Sequence, residues 1–396
     1  MKRALSVACV GLLSCAPAIA KTDVYGFITA NWEKSEKSQN EDGANKEFNP
    51  NEIDNPFIHV MVNNTQGAYR SFLNINGGGA GELDVRNAWF EGQILGEHMK
   101  YRIGKMYRFF DIYNEILDAV PTYIGIEPPE LFDKDHLMVS RTTNFMLHGN
   151  FLKGDHEFRY SITTGNDDRD QEEVPVGGDL RWEHNPGNYT LMVGTSFYYS
   201  GNTGAGEVGA DSGVAAHMAR DNYSVNVLYS QFTMKNWLAQ ASFARAKHDG
   251  IRDAQFIEDN ADAFQGIPGN RANRFCDGGD CTAAANVRLK AKYNIDTWYL
   301  RLGYMIGLND GASITPYVQY DYYYNPEMIG AKSAGGDNEA GWSDDGKFTK
   351  RTLGAVYRPV SNIAIKLDGS THHHRFNGKD ESYAEVRSSF AYQWSL

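Results

Sequence analysis

The chain lacks long apolar runs and an excess of positive charge, and it has little cysteine beyond its amino-terminal segment. No later stretch reaches the ~18–20 apolar residues that a membrane-spanning helix needs. The 38 Lys and Arg residues are outnumbered by 50 Asp and Glu residues, which argues against non-specific binding to nucleic acid. Of the four cysteines, only Cys276 and Cys281 lie outside the first 20 residues.

The amino terminus has the three parts of a secretory signal peptide. A basic pair precedes a short apolar run, and a small-x-small motif ends at Ala20. The pattern predicts that residues 1–20 are removed by cleavage between Ala20 and Lys21, and that residues 21–396 form a single domain. Residues 12–15 loosely resemble a lipoprotein cleavage box, which is an alternative with a poorer match.

Two lone cysteines flank a Gly-rich turn late in the chain. In an oxidising compartment, this arrangement predicts a disulfide between Cys276 and Cys281. A metal site is the weaker alternative, because no histidine lies near them in sequence. We therefore expect no metal and no other cofactor.

The last segment of the chain has a β-strand pattern that runs to the final residue. Phe390, Tyr392, Trp394 and Leu396 fall on one face, and small or polar residues fall on the other. Only a β-strand places alternate residues on opposite faces. A strand with bulky apolar groups on one side is typical of an outer wall against lipid.

Alternating segments of about ten residues recur along the whole chain, without a competing helical period. Over the first half, short turns and long polar loops join them alternately, as in a barrel with turns at one rim and loops at the other. The pattern predicts an all-β fold: a transmembrane antiparallel β-barrel of about sixteen strands, with eighteen as the alternative, short periplasmic turns and long external loops. Between Val214 and Trp298, competing turn signals at 220–222, 234–236 and 294–296 leave the strand count and register open.

Together these features resemble the Gram-negative outer-membrane porins. The resemblance rests on the export signal, on Val24–Phe27 directly after the cleavage site, on the strand edges Arg102–Lys105 and Ile314–Tyr317, and on the aromatic terminal strand. It implies a homotrimer. It also implies a terminal assembly signal, which here consists of Phe390, Tyr392, Trp394 and Leu396. Porins usually end in Phe or Trp, so we expect Leu396 to take the terminal apolar position.

The segment 107–136 combines acidic residues with many apolar ones. It holds seven carboxylates against two bases, Arg108 and Lys134. A loop folded into a barrel needs apolar groups to pack on the inner wall, whereas a solvated loop does not. The resemblance to porins implies that this loop forms the pore constriction. A surface loop with a hydrophobic anchor is the alternative.

We expect acidic residues of this loop to face basic residues of nearby strands across the constriction. The predicted set is Asp111, Glu115 and Asp118 opposite Lys100, Arg102 and Arg159. Basic residues that alternate with apolar ones on later strands predict a basic lumen face, which consists of Arg288, Lys290, Lys292, Arg301 and Lys366. A charge facing lipid near the midplane costs about 2–4 kcal/mol, so the lumen is the cheaper place. For each strand alone, the solvent face of a soluble sheet explains the pattern equally well.

Three consecutive histidines, His372–His374, lie in a predicted loop at 371–380. A weak zinc or copper site would need a loop there, because adjacent positions in a strand point apart. No acidic or cysteine ligand lies close by spacing, so a polar loop is the favoured interpretation.

The sequence as a whole predicts an outer-membrane porin with a water-filled channel for the passive diffusion of small hydrophilic solutes and ions. Its expected partners are outer-membrane lipid, lipopolysaccharide and the solutes. The alternatives are a channel that prefers phosphate, another anion or a sugar, and a plugged barrel. No recognisable nucleophile motif is present, so we do not expect an enzyme. The solute and the sign of ion selectivity stay open.

Overall fold

The computed structural model is a closed antiparallel β-barrel of sixteen long strands, which confirms the predicted fold class. It describes residues 20–36, 52–53, 56–78, 82–116, 119, 121–132, 142–165, 173–201, 215, 217–265, 272–327, 345–376 and 379–396. The predicted signal peptide lies outside these residues except for Ala20, and β1 begins at Lys21.

Each long strand pairs antiparallel with the next, and the first pairs with the last to close the barrel. The strands are β1 (Lys21–Ser35), β2 (Phe57–Gln66), β3 (Tyr69–Gly78), β4 (Glu82–Gln93), β5 (Lys100–Tyr107), β6 (Thr142–Lys153), β7 (His156–Thr164), β8 (Val176–His184), β9 (Tyr189–Tyr199), β10 (Met218–Met234), β11 (Trp237–Arg252), β12 (Lys290–Tyr304), β13 (Ser313–Tyr324), β14 (Lys347–Arg358), β15 (Ile363–Phe376) and β16 (Lys379–Ser395). Two-residue strands at Glu52–Ile53 and Ile306–Gly307 extend the ladders of β1 and β13.

The period of two along each strand separates an outer wall from an inner one. In β16, Phe390 and Tyr392 point outward, with 44% and 37% of their surface exposed, while the alternating Ala391 is fully buried. At the closing ladder, Trp394 lies opposite Gly26. A Cβ at Gly26 would lie 2.6 Å from the indole, so glycine is what lets the ring cover β1.

Aromatic pairs mark two levels on the outer wall. Trp237 and Tyr304 lie 4.6 Å apart beside the short turn between β10 and β11. Trp298 stacks on Tyr320 at 5.0 Å, nearer the long-loop rim. Outward aromatic side chains are typical of a barrel wall that meets lipid.

The segment between Val214 and Trp298, where the sequence left the strand count undecided, contains three long strands and a helical insertion. The predicted turns at 220–222 and 294–296 lie inside β10 and β12, and only the turn at 234–236 is present. The insertion contains α1 (Ala254–Asp259), α2 (Ala261–Gln265) and α3 (Ala272–Phe275). Single 3₁₀ turns lie at Gly96–His98, Asn114–Ile116, Glu130–Phe132, Asp277–Gly279, Ala284–Asn286 and Asn309–Gly311.

No helix in the described part of the chain has the length and apolarity to cross a membrane. The helical insertion instead packs around a small core of its own, which contains Ile257, Phe264, Phe275 and the two cysteines. Cys276 and Cys281 are joined by a disulfide in this core. Asp253 begins α1 by accepting hydrogen bonds from the backbone of the first helical turn.

A buried carboxylate ties this insertion to the barrel rim. Glu327, after β13, accepts hydrogen bonds from Arg252 at 2.7 Å and from Arg274 at 2.8 Å, and it lies 3.1 Å from His217. Burial alone raises the pKa of Glu327, but the hydrogen bonds from His217 and Arg252 outweigh it and hold the pKa well below the usual range. The carboxylate therefore stays charged, and it joins the insertion to β11.

Replacing both cysteines with alanine is expected to loosen the insertion and to leave the barrel intact. A disulfide that closes such a short loop contributes roughly 2 kcal/mol in the chain-entropy account. Limited proteolysis of Cys276→Ala/Cys281→Ala should show faster cleavage within 253–289. Equal cleavage rates in the variant and the unaltered protein would contradict a structural role for the bond.

The histidine run lies in a strand, so the loop predicted at 371–380 is wrong over His372–His374. His372 and His374 point inward and are buried, while His373 points outward. The Nε2 atom of His372 lies 3.1 Å from Glu385, and its ring stacks on Tyr383. Within the described ranges, no group of three His, Cys, Asp or Glu side chains is placed to hold a metal ion.

Candidate pore constriction

The connection between β5 and β6 folds into the barrel and runs along its inner wall. We call its described residues between 108 and 132 the inner loop. Its first part contacts β6, where Phe109 meets the edge of His148, and its last part contacts β14, where Lys350 pairs with Glu130 at 2.8 Å. Asp118, Asp133 and Asp135 lie outside the described residues.

The apolar residues of the inner loop anchor it to one side of the barrel. They pack in a buried cluster with inward side chains of β9 to β14, such as Val225, Val227 and Tyr299. The loop members of the cluster are Phe110, Ile112, Tyr113, Tyr123, Leu131 and Phe132. Each such burial contributes about 1.5–3 kcal/mol, which explains the high apolar content of an acidic loop.

Two buried cations hold the backbone of the loop against the wall. Arg301, on β12, donates a hydrogen bond to the carbonyl of Ile124 at 2.6 Å and another to the hydroxyl of Tyr113. Lys366, on β15, donates to the carbonyls of Tyr123 and Gly125 at 3.0 and 2.7 Å. Because loop carbonyls satisfy these cations, Arg301 and Lys366 face inward but serve to fasten the loop.

Glu127 and Glu130 of the loop make ion pairs with the same side of the barrel. Glu127 and Glu130 lie 2.9 and 2.8 Å from the ammonium of Lys350. Arg387, on β16, also pairs with Glu127, and its Nε lies 2.9 Å from Glu33. The carboxylates of the last loop segment are therefore neutralised by the wall.

Asp111 is placed differently from the sequence-based expectation. It is fully buried, and its carboxylate accepts hydrogen bonds from Ser242 on β11 and from the backbone of Ile112. Its backbone N–H donates to Ser196 on β9 at 2.9 Å. Asp111 thus pins the loop to the wall and does not face a water-filled opening.

Burial raises the pKa of Asp111 to about 7. An unfolded aspartate has a pKa of about 3.9, so the folded protein keeps a proton that the unfolded chain releases. The stabilisation is complete below pH ~4 and is lost as the pH rises to about 7.

Asp111→Asn is expected to remove this pH dependence, because an amide does not ionise. The melting temperature in detergent, followed from pH 4 to 8, should fall with pH in the unaltered protein and stay level in the variant. At pH ~8 the difference in unfolding free energy is at most about 4 kcal/mol. Asp155→Asn, at an exposed turn, is the control. Parallel profiles for all three proteins would show that Asp111 does not titrate in this range.

Glu115 is the loop acid that meets the arginines of β7 and β8. It lies 3.6 Å from Arg159 on β7 and 3.5 Å from Arg181 on β8, and these two arginines are directly opposite in the ladder. The pairing brings together Glu115 and Arg159, two of the residues predicted to form the constriction. The side chain of Arg159 is 34% exposed and that of Glu115 is 20% exposed.

Arg102 pairs with an acid of the barrel wall, and Lys100 pairs with an acid of a short turn. Neither of them pairs with Asp111. Arg102 lies directly opposite Glu91 and donates to its carboxylate at 2.6 and 3.0 Å. Its guanidinium lies 3.9 Å from the ring centre of Trp89. Lys100 pairs with Glu97 at the short-turn rim.

Lys290 and Lys292 do not belong to a lumen face, contrary to the sequence-based expectation. They lie on the same uninterrupted strand as Arg301, at positions of opposite parity, so they point outward with Leu300. Arg288 precedes β12 and pairs with Asp277 in the exposed insertion. The turn signal at 294–296 predicted two separate strands where the structure has β12 alone. With two strands, nothing showed that Lys290 and Arg301 point to opposite faces.

The structure also brings inward some residues that the sequence reasoning did not single out. Arg181 alternates with Leu180 and Trp182, a pattern that was visible in the sequence. Asn63, Asn74, Asn76 and Asn87 line the inner faces of β2 to β4. His59 lies among them, 3.2 Å from the amide oxygen of Asn74. The same inner faces also carry Arg70 on β3 and Glu91 on β4, which are directly opposite each other in the ladder.

Comparison with solved structures shows which proteins have this architecture. No protein-family model matches the chain, and no curated protein matches it in sequence. The chain is similar to the anion-selective porin from Comamonas acidovorans, with 11% identity, a TM-score of 0.56, and coverage of 95% of this chain and 100% of that one. It is similar to the outer membrane channel DcaP of Acinetobacter baumannii, with 11% identity, a TM-score of 0.55 and coverage of 95% and 97%. It is also similar to the trimer form of OmpT, an outer membrane protein of Vibrio cholerae, with 12% identity, a TM-score of 0.52 and coverage of 95% and 99%. These likenesses show a shared fold.

Proposed function

We propose that this chain, which has the fold of the Gram-negative outer-membrane porins, forms a water-filled channel for the passive diffusion of small hydrophilic solutes and ions across the outer membrane. The inner loop carries the proposal. It is fastened along the inner wall by an apolar cluster and by Arg301 and Lys366, and it narrows the barrel. Passage of solutes through a narrowed pore requires no catalytic group.

In this proposal, the constriction lies between the pair Arg159 and Glu115 and the asparagine-rich wall of β2 to β4. Solutes are sieved by width, and ions are sorted by the exposed charges. Charges that are paired and buried in the wall affect passing ions less than an exposed one does. Arg102, for example, is 11% exposed and lies 2.6 Å from Glu91, whereas Arg159 is 34% exposed and lies 3.6 Å from Glu115, so Arg102 contributes less.

A channel that prefers anions is the second candidate. Six charges at the site take part in ion pairs: Arg102, Arg159, Arg181, Glu91, Glu115 and Asp179. Arg159 has the most exposed side chain of the six, so a cation is the charge that water and passing ions meet first. This observation favours phosphate or another anion over a cation as the preferred solute.

The assembly and location of the protein follow from the same proposal. We propose export by the signal peptide, insertion into the outer membrane, and assembly as a homotrimer in contact with lipid and lipopolysaccharide. The trimer form of OmpT supports this proposal by its fold alone. Phe390, Tyr392 and Trp394 share the outward face of β16, which suits an assembly signal that other proteins must reach.

Planar-bilayer recording of the purified protein tests the channel. We expect discrete conductance steps, a reversal potential that responds to exchange of the anion, and passage of small sugars in a liposome-swelling assay. A plugged barrel predicts no steps. Absence of steps from protein whose β-sheet circular dichroism and resistance to unfolding in detergent are intact would refute the channel. Heat-unfolded protein is the negative control.

A further inference from the structure

Residues 121–130, the second half of the inner loop, follow the inner wall over much of its height. We call them the wall segment. Residues 121–129 form neither helix nor strand. Pro121 is bound by Arg358, the last residue of β14, while Glu130 pairs with Lys350 near the start of the same strand. Buried backbone groups outside regular structure need other hydrogen-bond partners, so the wall must supply them.

Charged side chains of four neighbouring strands, β12 to β15, bind the backbone of the wall segment directly. These side chains are Arg301, Asp321, Arg358, Lys366 and Asp368. The backbone groups that they bind are the carbonyls of Pro121, Tyr123, Ile124, Gly125 and Glu127 and the N–H groups of Ile126 and Glu130. The distances range from 2.5 to 3.4 Å. Most of the wall segment is therefore held by its main chain.

Side chains of the wall segment also fit recesses in the wall. Ile124 packs on a small apolar cluster of β13 to β16. Gly303 leaves room for it, since a Cβ at Gly303 would lie 2.9 Å from the end of its side chain. Glu127 and Glu130 both pair with the ammonium of Lys350. One apolar recess and one basic recess therefore add selectivity to the main-chain contacts.

The composition of the wall segment suits it to these contacts. Pro121, Pro128 and Pro129 have a fixed φ and carry no N–H that would need a partner. Gly125 has a φ of 97°, and a Cβ there would lie 3.0 Å from the guanidinium of Arg301. Glycine is thus what lets Arg301 reach the main chain. A segment with so many fixed torsions loses little conformational entropy on binding.

Main-chain hydrogen bonds combined with side-chain recesses are a common way in which proteins bind short peptides. None of the contacts above requires the wall segment to be joined covalently to the barrel. We propose that the inner wall of β12 to β15 is a peptide-binding groove, which residues 121–130 occupy in the folded chain and which takes a free acidic, proline-containing peptide when they leave. Covalent attachment gives the segment an effective concentration in roughly the millimolar range, so it excludes a free peptide from the unaltered protein.

A synthetic peptide with the sequence of residues 121–130 tests the groove. The first receptor is the full chain with Gly125→Val, because the added side chain meets Arg301 and displaces the wall segment while every wall residue is kept. The second receptor is the full chain with residues 121–130 replaced by glycine and serine. Fluorescence anisotropy of the labelled peptide in detergent should show saturable binding to both receptors. Binding to the unaltered protein should be at least about tenfold weaker.

Matched peptides and wall variants identify the contacts. A peptide with Glu127→Gln and Glu130→Gln loses the ion pairs with Lys350 and should bind about tenfold more weakly, because charge-assisted hydrogen bonds are the strong ones. Adding Lys366→Met to either receptor removes the donor to two carbonyls and should weaken binding by a similar factor. Adding Arg351→Met, on the outer face of β14, should leave binding unchanged.

The binding assay needs no current, so its outcome is separate from that of the channel. Absence of conductance steps would refute only the channel. Absence of saturable binding to both receptors, when circular dichroism shows their β-sheet to be intact, would overturn the groove. Equally tight binding to the unaltered protein, or equal effects of Lys366→Met and Arg351→Met, would place the peptide elsewhere on the barrel and would also overturn it.

Discussion

Replacing Arg301 with methionine is expected to release the inner loop and to raise single-channel conductance several-fold. Methionine fills similar space but donates no hydrogen bond, so the carbonyl of Ile124 and the hydroxyl of Tyr113 lose their buried donor. Removing one partner from a buried charged network costs about 3–5 kcal/mol. The loop can recover much of this by leaving the wall, where its carbonyls meet water.

Conductance and stability together distinguish release of the loop from general damage. Arg351→Met, on the outer face of β14, is the matched control and should leave conductance unchanged. Lys366→Met should act in the same direction as Arg301→Met, because it removes the donor to Tyr123 and Gly125. A lower melting temperature with unaltered conductance in both inner variants would mean that these cations stabilise the barrel but do not hold the constriction.

Replacing Arg159 with glutamate is expected to shift ion preference strongly towards cations. The substitution changes the charge at the constriction by two units and places a second carboxylate beside Glu115. For an ion about 5 Å away in water, two charges amount to about 1.7 kcal/mol, which corresponds to a change of about twentyfold in the permeability ratio. Reversal potentials in a salt gradient measure this ratio directly.

The control for this substitution is Lys247→Glu, which makes the same change of charge on the outer wall. It should leave the reversal potential unaltered. Arg102→Glu should give a smaller shift than Arg159→Glu, since the side chain of Arg102 is less exposed to the lumen and lies closer to its acidic partner. A reversal potential that responds equally to all three variants would show that overall surface charge, and not the site at Arg159, selects the ion.

The sequence-based set placed Glu115 among three acids opposite Arg159 and two other bases, but it did not predict the burial of Asp111. Both acids lie in one short loop, and their sequence neighbourhoods are similarly apolar. Only the folded loop decides that Asp111 turns to Ser242 on the wall while Glu115 turns to two arginines. Contacts between residues so distant in the chain leave no local sequence pattern that predicts them.

The direction of the side chains on β12 is a second feature that the sequence alone did not predict correctly. Lys290 and Arg301 each alternate with apolar residues, so each looked like part of a lumen face. Which face is inward depends on where the strand begins and on whether it is interrupted. Because β12 runs without a break from Lys290 to Tyr304, the two residues point in opposite directions.

By itself, the sequence determined the alternating strands, and hence a barrel with an outward aromatic face on its terminal strand. This follows because a period of two is a local property that survives in any barrel. The tertiary structure alone decided which charges meet. Closure of the barrel brings β12 and β15 against a loop whose contacts lie 188 and 243 residues earlier in the chain. Arg301 and Lys366 therefore fasten this loop, while the side chain of Arg159 stays 34% exposed. Such partners are chosen by register and packing, which no single strand encodes.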